Sequence, residues 1–207
     1  MPLFDFHHHH QNTFGIYNKP LLTSDYEDFF SVGIHPKDIN EDWQYTFENV
    51  KIQSKNPKCL TLGECGLDGL INVDLKIQKE VFLKHIEWAN YIKKPITIHC
   101  VKRFSELIQF VKLAHVPLII HGFNKKRTVF DEMVKHGFYL SFGKALLHNV
   151  SLQNTFYDCP LERFFLESDD SDVDIQLIYQ KAAEIKGLSL EVIEYQIRKN
   201  LDNITKL

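Results

Sequence analysis

Four consecutive histidines, His7 to His10, lie near the start of the chain, directly after a short apolar and acidic segment. Successive side chains of a β-strand point to opposite faces, so His7 and His9 would share one face, and His8 and His10 the other. Either pair could deliver two imidazoles to one metal ion. A histidine run near an N-terminus is also typical of an engineered purification tag. Ligand-type residues at the ends of later strands would favour the metal site over the tag.

The bulk properties of the chain are those of an ordinary globular protein. It has 207 residues, of which 44% are hydrophobic and 25% are charged. This length suits one medium domain or a compact α/β barrel. Because no linker or internal repeat divides the chain, we expect a single domain over residues 1–207.

Location and partners can also be predicted from composition. The chain has no apolar stretch long enough for a transmembrane helix, and its N-terminus lacks the basic region of a secretory signal. The four cysteines show no CxxC spacing and are too sparse for a disulfide framework, so we expect reduced thiols. We therefore expect a cytoplasmic protein with no membrane partner, and a monomer.

The formal net charge of −3 argues against binding of nucleic acid by bulk electrostatic attraction. It does not exclude a nucleic acid substrate, because divalent cations bound by carboxylates offset the negative charge of the site. The one compact basic run, at residues 125–127, is more consistent with a solvated helix start than with a phosphate clamp.

Short apolar runs recur along the chain, several of them ending in a possible metal ligand, with amphipathic stretches between the later ones. This alternation is typical of βα units around a parallel sheet. Apolar spacing of three and four predicts helices at residues 78–92, 105–113, 128–135 and 175–185, and a final helix covers 191–200. The predicted strands are residues 3–9, 14–18, 29–35, 59–66, 95–100, 117–123, 139–143 and 164–169.

This pattern predicts a compact (β/α)8 barrel of the TIM type with an incomplete first unit. Only residues 11–13 separate the first two predicted strands. That is too few for a crossover helix, since a parallel connection normally needs a dozen or more residues. We therefore expect the first crossover helix to be truncated, and the first two strands could pair as a hairpin.

Several of the predicted strands end in residues that bind metals. In a parallel barrel the C-terminal ends of the strands converge on the face where active sites are built. Imidazoles with a bridging carboxylate suit Zn²⁺, Mn²⁺, Co²⁺ or Ni²⁺, and additional carboxylates also admit Mg²⁺. Two such ions can activate water for displacement at phosphorus or polarise a carbonyl for hydrolysis. The strand-end residues are His7, His9, His35, Glu64, His99, His121 and Asp169.

Any one of these residues could be structural, but their coincidence at so many strand ends is poorly explained by chance. Four other histidines do not follow the pattern, and we expect each to be a hydrogen-bonded structural residue or a surface group. They are His85, His115, His136 and His148.

The strand-end segments resemble, in chain order, the motifs of the TatD-like metal-dependent deoxyribonucleases of the amidohydrolase barrel superfamily. Residues 4–9 (FDFHHH) are similar to the family's opening Asp-x-His-x-His segment. Residues 32–36 (VGIHP) match its Val-Gly-Ile-His-Pro box, and residues 62–68 (LGECGLD) match its Gly-Glu-x-Gly-Leu-Asp box. Further similar segments are 78–99, 120–123, 139–142 and 166–169. The resemblance covers nearly the whole chain, and the motifs are specific together.

The resemblance implies two divalent ions, of Mg²⁺, Mn²⁺ or Zn²⁺. His7, His9, Glu64 and Asp169 would hold one ion, and His7 and His9 would be the inward pair of the histidine run. Glu64 would bridge to the second ion. Asp169 would also be the general base that deprotonates the attacking water, so Glu64 and Asp169 are the predicted catalytic residues. The remaining ligands of the second ion would be His99 and His121.

Other residues would contact the substrate or support the ligands. His35 would contact the scissile phosphate or a metal ligand, and Glu167 would orient a ligand. The family usually has an arginine soon after the fifth-strand histidine, and here Lys102 or Arg103 would supply that cation. After Asp169 the chain departs from the family with the acidic segment 170–174, which would repel a polyphosphate chain.

Three functions follow from these observations. The first is a TatD-type hydrolase that cleaves phosphodiester bonds, with DNA as the expected substrate and cleavage from an end. The second keeps the metals but acts on a small-molecule ester, lactone, amide or phosphoester, which the acidic segment and the negative net charge favour. The third is metal sequestration or a tag, which is disfavoured because the ligands are spread over distant strands.

Overall fold

The computed structural model describes residues 2–11, 13–21 and 28–206. Eight parallel strands form one sheet in which every strand pairs with the next along the chain. A parallel bridge between His8 and Asp169 joins the last strand to the first. The strands are β1 (Asp5–His8), β2 (Gly15–Asn18), β3 (Phe30–Val32), β4 (Cys59–Asp68), β5 (Ile96–Val101), β6 (Leu118–Ile120), β7 (Tyr139–Phe142) and β8 (Phe164–Leu166). The predicted (β/α)8 barrel is confirmed.

Helices follow every strand from β3 onwards, and none of the described helices is long and apolar enough to cross a membrane. They are α1 (Trp43–Gln53), α2 (Leu75–Ile92), α3 (Phe104–Ile108), α4 (Arg127–Lys135), α5 (Val150–Tyr157), α6 (Ile175–Lys186) and α7 (Leu190–Thr205). The sequence prediction missed α1 and α5, and it extended α3 through what is a separate 3-10 turn at Val111–Leu113.

The first βα unit is truncated as predicted, but the possible hairpin is wrong. Strands β1 and β2 pair in parallel, with Asp5 opposite Gly15 and His8 opposite Tyr17. The connection, residues 9–14, holds no helix in its described part. Six extended residues reach about 20 Å, whereas a four-residue strand rises about 13 Å, so the connection is long enough to return along β1.

The seam between β8 and β1 lies directly under the predicted metal ligands. Asp169 N donates to His7 O at 2.9 Å, and His9 N donates to Asp169 O at 3.1 Å. Two residues before His7 on the same strand, the buried carboxylate of Asp5 accepts hydrogen bonds from Ser168 N at 3.0 Å and from Ser168 Oγ at 2.6 Å. The seam therefore fixes the main chain of the first and last predicted ligand segments relative to each other.

Candidate metal centre

The Glu64 carboxylate lies among four imidazoles at the C-terminal end of the barrel. Its Oε1 atom lies 2.7 Å from His121 Nε2, 2.8 Å from His99 Nδ1 and 3.4 Å from His35 Nε2. Its Oε2 atom lies 3.5 Å from His7 Nε2. Glu64 comes from β4 and the histidines come from, or directly follow, four other strands, so the barrel brings together residues that are far apart in sequence.

Asp169 follows β8 and completes the cluster on the β1 side. Its Oδ1 atom lies 3.6 Å from His9 Nε2 and 3.8 Å from His7 Nε2. The residue adopts a left-handed conformation with φ of 57°, which Asp tolerates better than most residues. Its backbone hydrogen bonds to β1 hold the carboxylate beside the two histidines.

All six predicted metal ligands therefore lie in one cluster. Ligand atoms within 4.8 Å of one another define four overlapping sets. One set is His7, His9 and Asp169, as the resemblance implies for the first ion. The others are His7 with Glu64 and His121, His35 with Glu64 and His99, and His121 with Glu167 and Asp169. The structure thus also brings His35 and Glu167 within ligand distance.

Two further carboxylates face the outer nitrogens of the central histidines, and the one beside His99 is within hydrogen-bond distance. His99 Nε2 lies 3.0 Å from Asp68 Oδ2, and His121 Nδ1 lies 3.6 Å from Glu167 Oε1. A metal-binding histidine commonly gives its other ring N–H to a carboxylate, which fixes the ring and its tautomer. The nitrogens that face Glu64 are then free to bind a cation.

Asp68 was not among the predicted site residues. It lies four residues after Glu64 on the same strand, and even spacing in a strand puts both side chains on one face, so this spacing could have identified it. Gln78 of α2 fixes its main chain: Asp68 N donates to Gln78 Oε1 at 2.8 Å, and Gln78 Nε2 donates to Asp68 O at 3.0 Å. The helix therefore positions the carboxylate that orients His99.

Asn18, at the end of β2, is a second residue that the sequence prediction missed. Its Nδ2 atom donates to Glu64 Oε2 at 3.1 Å and lies 3.4 Å from His9 Nε2. Glu64 N lies 3.4 Å from Asn18 Oδ1. No sequence motif marked this residue, because its position depends on the parallel pairing of β2 beside β1 and β3.

Close backbone contact explains one glycine of the Gly-Glu-x-Gly-Leu-Asp box. Gly66 has a φ of 147°, and a Cβ atom there would lie 2.1 Å from His99 O. Only glycine fits this position without a shift of the backbone. Because Gly66 pairs with His99 in the register of β4 and β5, the contact sets the distance between Glu64 and His99.

Charges in the cluster are strongly coupled. Burial acts to raise the pKa of Glu64, but the charge of His121 and hydrogen bonds from His121 and His99 outweigh it and lower that pKa. Burial acts to lower the pKa of His121, but the carboxylates of Glu64 and Glu167 raise it well above its usual value. Burial and the charge of Glu167 raise the pKa of Asp169. The buried carboxylates thus attract a positive charge to the centre.

The donor set fits a divalent metal. His7 is fully buried, and neither of its ring nitrogens makes a hydrogen bond within the part of the chain that the structure describes. A buried polar atom without a partner costs about 1–3 kcal/mol, which metal coordination would recover. Imidazole nitrogens combined with carboxylate oxygens are ligands for borderline divalent ions.

The other two histidines of the run do not belong to these ligand sets. His8 is fully buried beside Tyr17, with ring centroids 5.9 Å apart, and burial lowers its pKa to about 4. His10 follows β1, and its Nε2 atom lies 3.1 Å from Ser171 O. The alternation predicted for the run therefore separates His7 and His9 from His8 and His10.

The two predicted phosphate-contacting cations differ in their surroundings. Arg103 Nη1 lies 3.0 Å from Glu106 Oε1, so this guanidinium is already paired. Lys102 directly follows β5, is exposed, and makes no ion pair with any described residue. Lys102 is therefore the freer of the two cations.

Comparison with known proteins identifies the family of the chain. The family described as TatD related DNase matches residues 15–206. The chain belongs to this family. The match to the TatD family confirms the resemblance of the motifs, and it begins after β1, so that His7 and His9 precede the matched range.

Curated relatives are named as metal-dependent hydrolases. The chain is 29% identical over 153 residues to an uncharacterized hydrolase of Buchnera aphidicola, covering 68% of this chain and 58% of that protein. It is 27% identical over 146 residues to YcfH of Escherichia coli, covering 68% and 54%. The chain thus spans less than two thirds of the length of these relatives. A 3'-5' ssDNA/RNA exonuclease of Edwardsiella piscicida is 26% identical over 157 residues, covering 72% and 60%.

Solved structures of TatD proteins share the fold. A TatD homologue from Escherichia coli superposes with a TM-score of 0.74 at 17% identity, covering 86% of this chain and 77% of that one. A TatD family hydrolase from Entamoeba histolytica also gives 0.74, at 20% identity, covering 86% and 74%. These similarities establish the barrel architecture.

Proposed function

We propose that this TatD family member is a divalent-metal-dependent deoxyribonuclease that cleaves phosphodiester bonds from a strand end. The observation that carries the proposal is the cluster around Glu64, in which histidines from four strand ends and Asp169 lie within ligand distance of one another. The 3'-5' exonuclease named among the relatives supports the choice of substrate.

The ligands divide as the resemblance implies. His7, His9 and Asp169 would hold one ion, His99 and His121 would hold a second, and Glu64 would bridge them. Two ions of Mg²⁺, Mn²⁺ or Zn²⁺ are proposed. When bound, such ions act as Lewis acids that lower the pKa of water and neutralise charge on a phosphoryl group.

Asp169 is proposed as the general base. Burial and the charge of Glu167 raise its pKa, which makes the carboxylate a better proton acceptor than an exposed aspartate. Its Oδ1 atom faces the ligand nitrogens of His7 and His9, so a proton taken from the attacking water would pass to an oxygen at the edge of the centre.

His35 is proposed to donate a hydrogen bond to the scissile phosphate. Its Nδ1 atom accepts from Lys37 N at 3.0 Å, so the proton of the neutral ring lies on Nε2, which points towards Glu64. Burial lowers the pKa of His35 to about 4, and the ring is therefore neutral near pH 7. Lys102 is proposed as the cation that contacts the phosphate.

A small-molecule phosphoester, ester, lactone or amide is the second candidate substrate. The segment between β8 and α6 favours it, because Asp170, Asp172 and Asp174 are exposed beside the centre. Among the described residues one ion pair offsets them, in which Lys144 Nζ lies 3.9 Å from Asp170 Oδ1. If the substrate is DNA, these carboxylates would repel its backbone, so that the strand could not extend past the centre over the segment between β8 and α6. Cleavage at a strand end is consistent with that arrangement.

The test compares wild-type protein with Glu64→Ala and Asp169→Ala on single-stranded DNA and on a small phosphodiester, with Mg²⁺, Mn²⁺ or Zn²⁺. We expect each variant to lose about 10²–10⁴-fold in kcat, because it lacks a bridging ligand or the base. Glu162→Ala, an exposed carboxylate before β8, is the control and should keep full activity. Full activity of both site variants would refute the assignment, and cleavage of the small ester alone would favour the second substrate class.

We also propose that the protein acts as a monomer in the cytoplasm. The four cysteines, at positions 59, 65, 100 and 159, are free thiols and all buried. Unpaired thiols support a reducing compartment. Sedimentation analysis and localisation of the tagged protein would test the two statements separately.

A further inference from the structure

We propose that a groove beside Glu64 is a nucleobase subsite, in which the ring of Tyr45 stacks on a base of single-stranded DNA and the amide of Asn49 binds the edge of that base. The inference rests on the proposed nuclease function. It specifies that a base is bound next to the scissile bond and that Tyr45 and Asn49 bind it.

The groove is continuous with the metal centre. Its volume is about 470 Å³, within the usual range for small-ligand sites. His9, Asn18 and Glu64 line one end, and the first two turns of α1 line the other, with Tyr45 and Asn49. A nucleobase bound in the groove could therefore belong to the nucleotide whose phosphate lies at the centre.

Tyr45 offers an unused aromatic surface at the far end of the groove. It is 75% exposed, and its ring makes no aromatic or cation contact with any described residue. Stacking on an exposed aromatic ring is the usual way in which proteins bind single-stranded nucleic acid without sequence preference, since every base has a π-face. An apolar side chain this exposed at the mouth of a polar site is suited to such a contact.

Asn49 lies one helical turn after Tyr45, so the two side chains are neighbours on the same face of α1. Within the described residues, its side-chain amide makes no hydrogen bond although the residue is partly buried. An amide both donates and accepts, and it can therefore pair with the edge of any base. The groove thus combines a stacking surface with an uncommitted hydrogen-bonding group.

The charges around the centre favour this side for the strand. Lys37 and Asp38 are the exposed charged residues that line the groove, and Lys37 makes no ion pair with a described residue. The side of the centre formed by the segment after Asp169, which does not line the groove, carries the exposed carboxylates of residues 170, 172 and 174. Because a DNA backbone is repelled by the acidic side, its bases would lie over the groove.

The experiment compares two substrates of equal length: a short single-stranded oligodeoxynucleotide, and an abasic deoxyribose phosphate oligomer with the same backbone. For Tyr45→Ala, we expect KM for the oligodeoxynucleotide to rise about 5- to 100-fold, the range measured for loss of one stacked base. KM for the abasic oligomer should not change. Asn49→Ala should raise KM for the oligodeoxynucleotide less, and Tyr45→Phe should restore wild-type KM because it keeps the ring.

Tyr91→Ala is the matched control, since Tyr91 is 76% exposed on α2 and does not line the groove. It should change neither KM value. Unchanged KM of Tyr45→Ala and Asn49→Ala for the oligodeoxynucleotide would refute the subsite while the nuclease function stands. Equal wild-type KM for the two substrates would refute it as well. If wild-type protein cleaves neither substrate, the proposed function fails and the subsite with it.

Discussion

His99 and His121 each turn one ring nitrogen to Glu64 and the other to a second carboxylate. Where the outer nitrogen donates to a carboxylate, as His99 Nε2 can to Asp68 Oδ2 at 3.0 Å, that nitrogen carries the proton and the one that faces Glu64 can bind a cation. The proposed metal binding would therefore depend on Asp68 and Glu167 as well as on the proposed ligands.

Asp68→Asn tests this dependence. The asparagine can present an N–H to His99 Nε2, which would leave the ring proton on Nδ1 and block the nitrogen that faces Glu64. We expect the affinity for Mn²⁺ or Zn²⁺, measured by isothermal titration calorimetry, to fall about 10- to 100-fold. Asp202→Asn, an exposed carboxylate on α7 paired with Lys206, should leave the affinity unchanged. Equal affinities of the two variants would show that Asp68 does not orient His99.

The histidine run gives a second prediction for single residues. His9→Ala removes a proposed ligand, so it should lower metal content after purification and lower activity. His8→Ala should keep metal binding, although the loss of a fully buried ring should lower the unfolding free energy by about 1–3 kcal/mol. Metal analysis with urea unfolding separates the two effects. Loss of metal in His8→Ala, with metal retained in His9→Ala, would mean that the register of the histidine run is shifted by one residue, so that His8 rather than His9 faces the centre.

Contacts between helix and strand place the His35 segment. His85 of α2 is fully buried, its Nδ1 donates to Val81 O at 2.8 Å, and its Nε2 accepts from Ile34 N at 3.1 Å. These two bonds require the neutral ring, and burial lowers the pKa of His85 to about 4. The expectation that His85 is a structural histidine is confirmed.

The stability of the protein should therefore depend on pH through His85. The folded pKa lies below the unfolded value near 6.5, so the unfolded chain binds a proton first as pH falls. Stability from this residue is present above pH 6.5 and is lost between pH 6.5 and 4, by about 2–3 kcal/mol. His85→Gln should remove this part of the pH dependence in urea unfolding at pH 7.5 and 4.5. His115→Gln, an exposed histidine, should keep the wild-type dependence.

At the scale of the whole molecule, the barrel is closed by contacts between the two ends of the chain. The buried Tyr179 of α6 donates its hydroxyl to Phe4 O at 2.7 Å, just before β1. Because β1 has no crossover helix of its own, this helix from the far end of the chain helps to hold it in place.

Tyr179→Phe should lower the unfolding free energy by about 1–2 kcal/mol, since the buried Phe4 carbonyl loses its partner while the ring packing is kept. Tyr195→Phe on α7, where the tyrosine is 66% exposed, should change it by less than about 0.5 kcal/mol. Urea unfolding of both variants measures the difference. Equal stabilities would mean that the hydroxyl does not help to secure β1.

The sequence by itself determined the strand order, the residue types at the strand ends and the face that His7 and His9 share. These features are local, because alternation along a strand follows from backbone geometry and strand ends follow from apolar runs. The sequence pattern did not predict the helices α1 and α5. Their buried residues nevertheless recur at helical spacing, as in Trp43, Phe47 and Val50 of α1. Their short patterns were not distinguished from the surrounding loops.

Only the tertiary structure decided the features that join distant segments. The parallel pairing of β1 with β2 requires the six connecting residues to run back along the length of β1. The possible hairpin was based instead on the usual length of a crossover connection, which is a dozen or more residues. Asn18 and Asp68 meet Glu64 and His99, and the groove at Tyr45 forms, only through neighbours that the barrel supplies. The sequence determined which candidate ligands the chain carries. The closure of the barrel decided which of their atoms face each other, because a distance between side chains on different strands depends on the packing of the whole sheet.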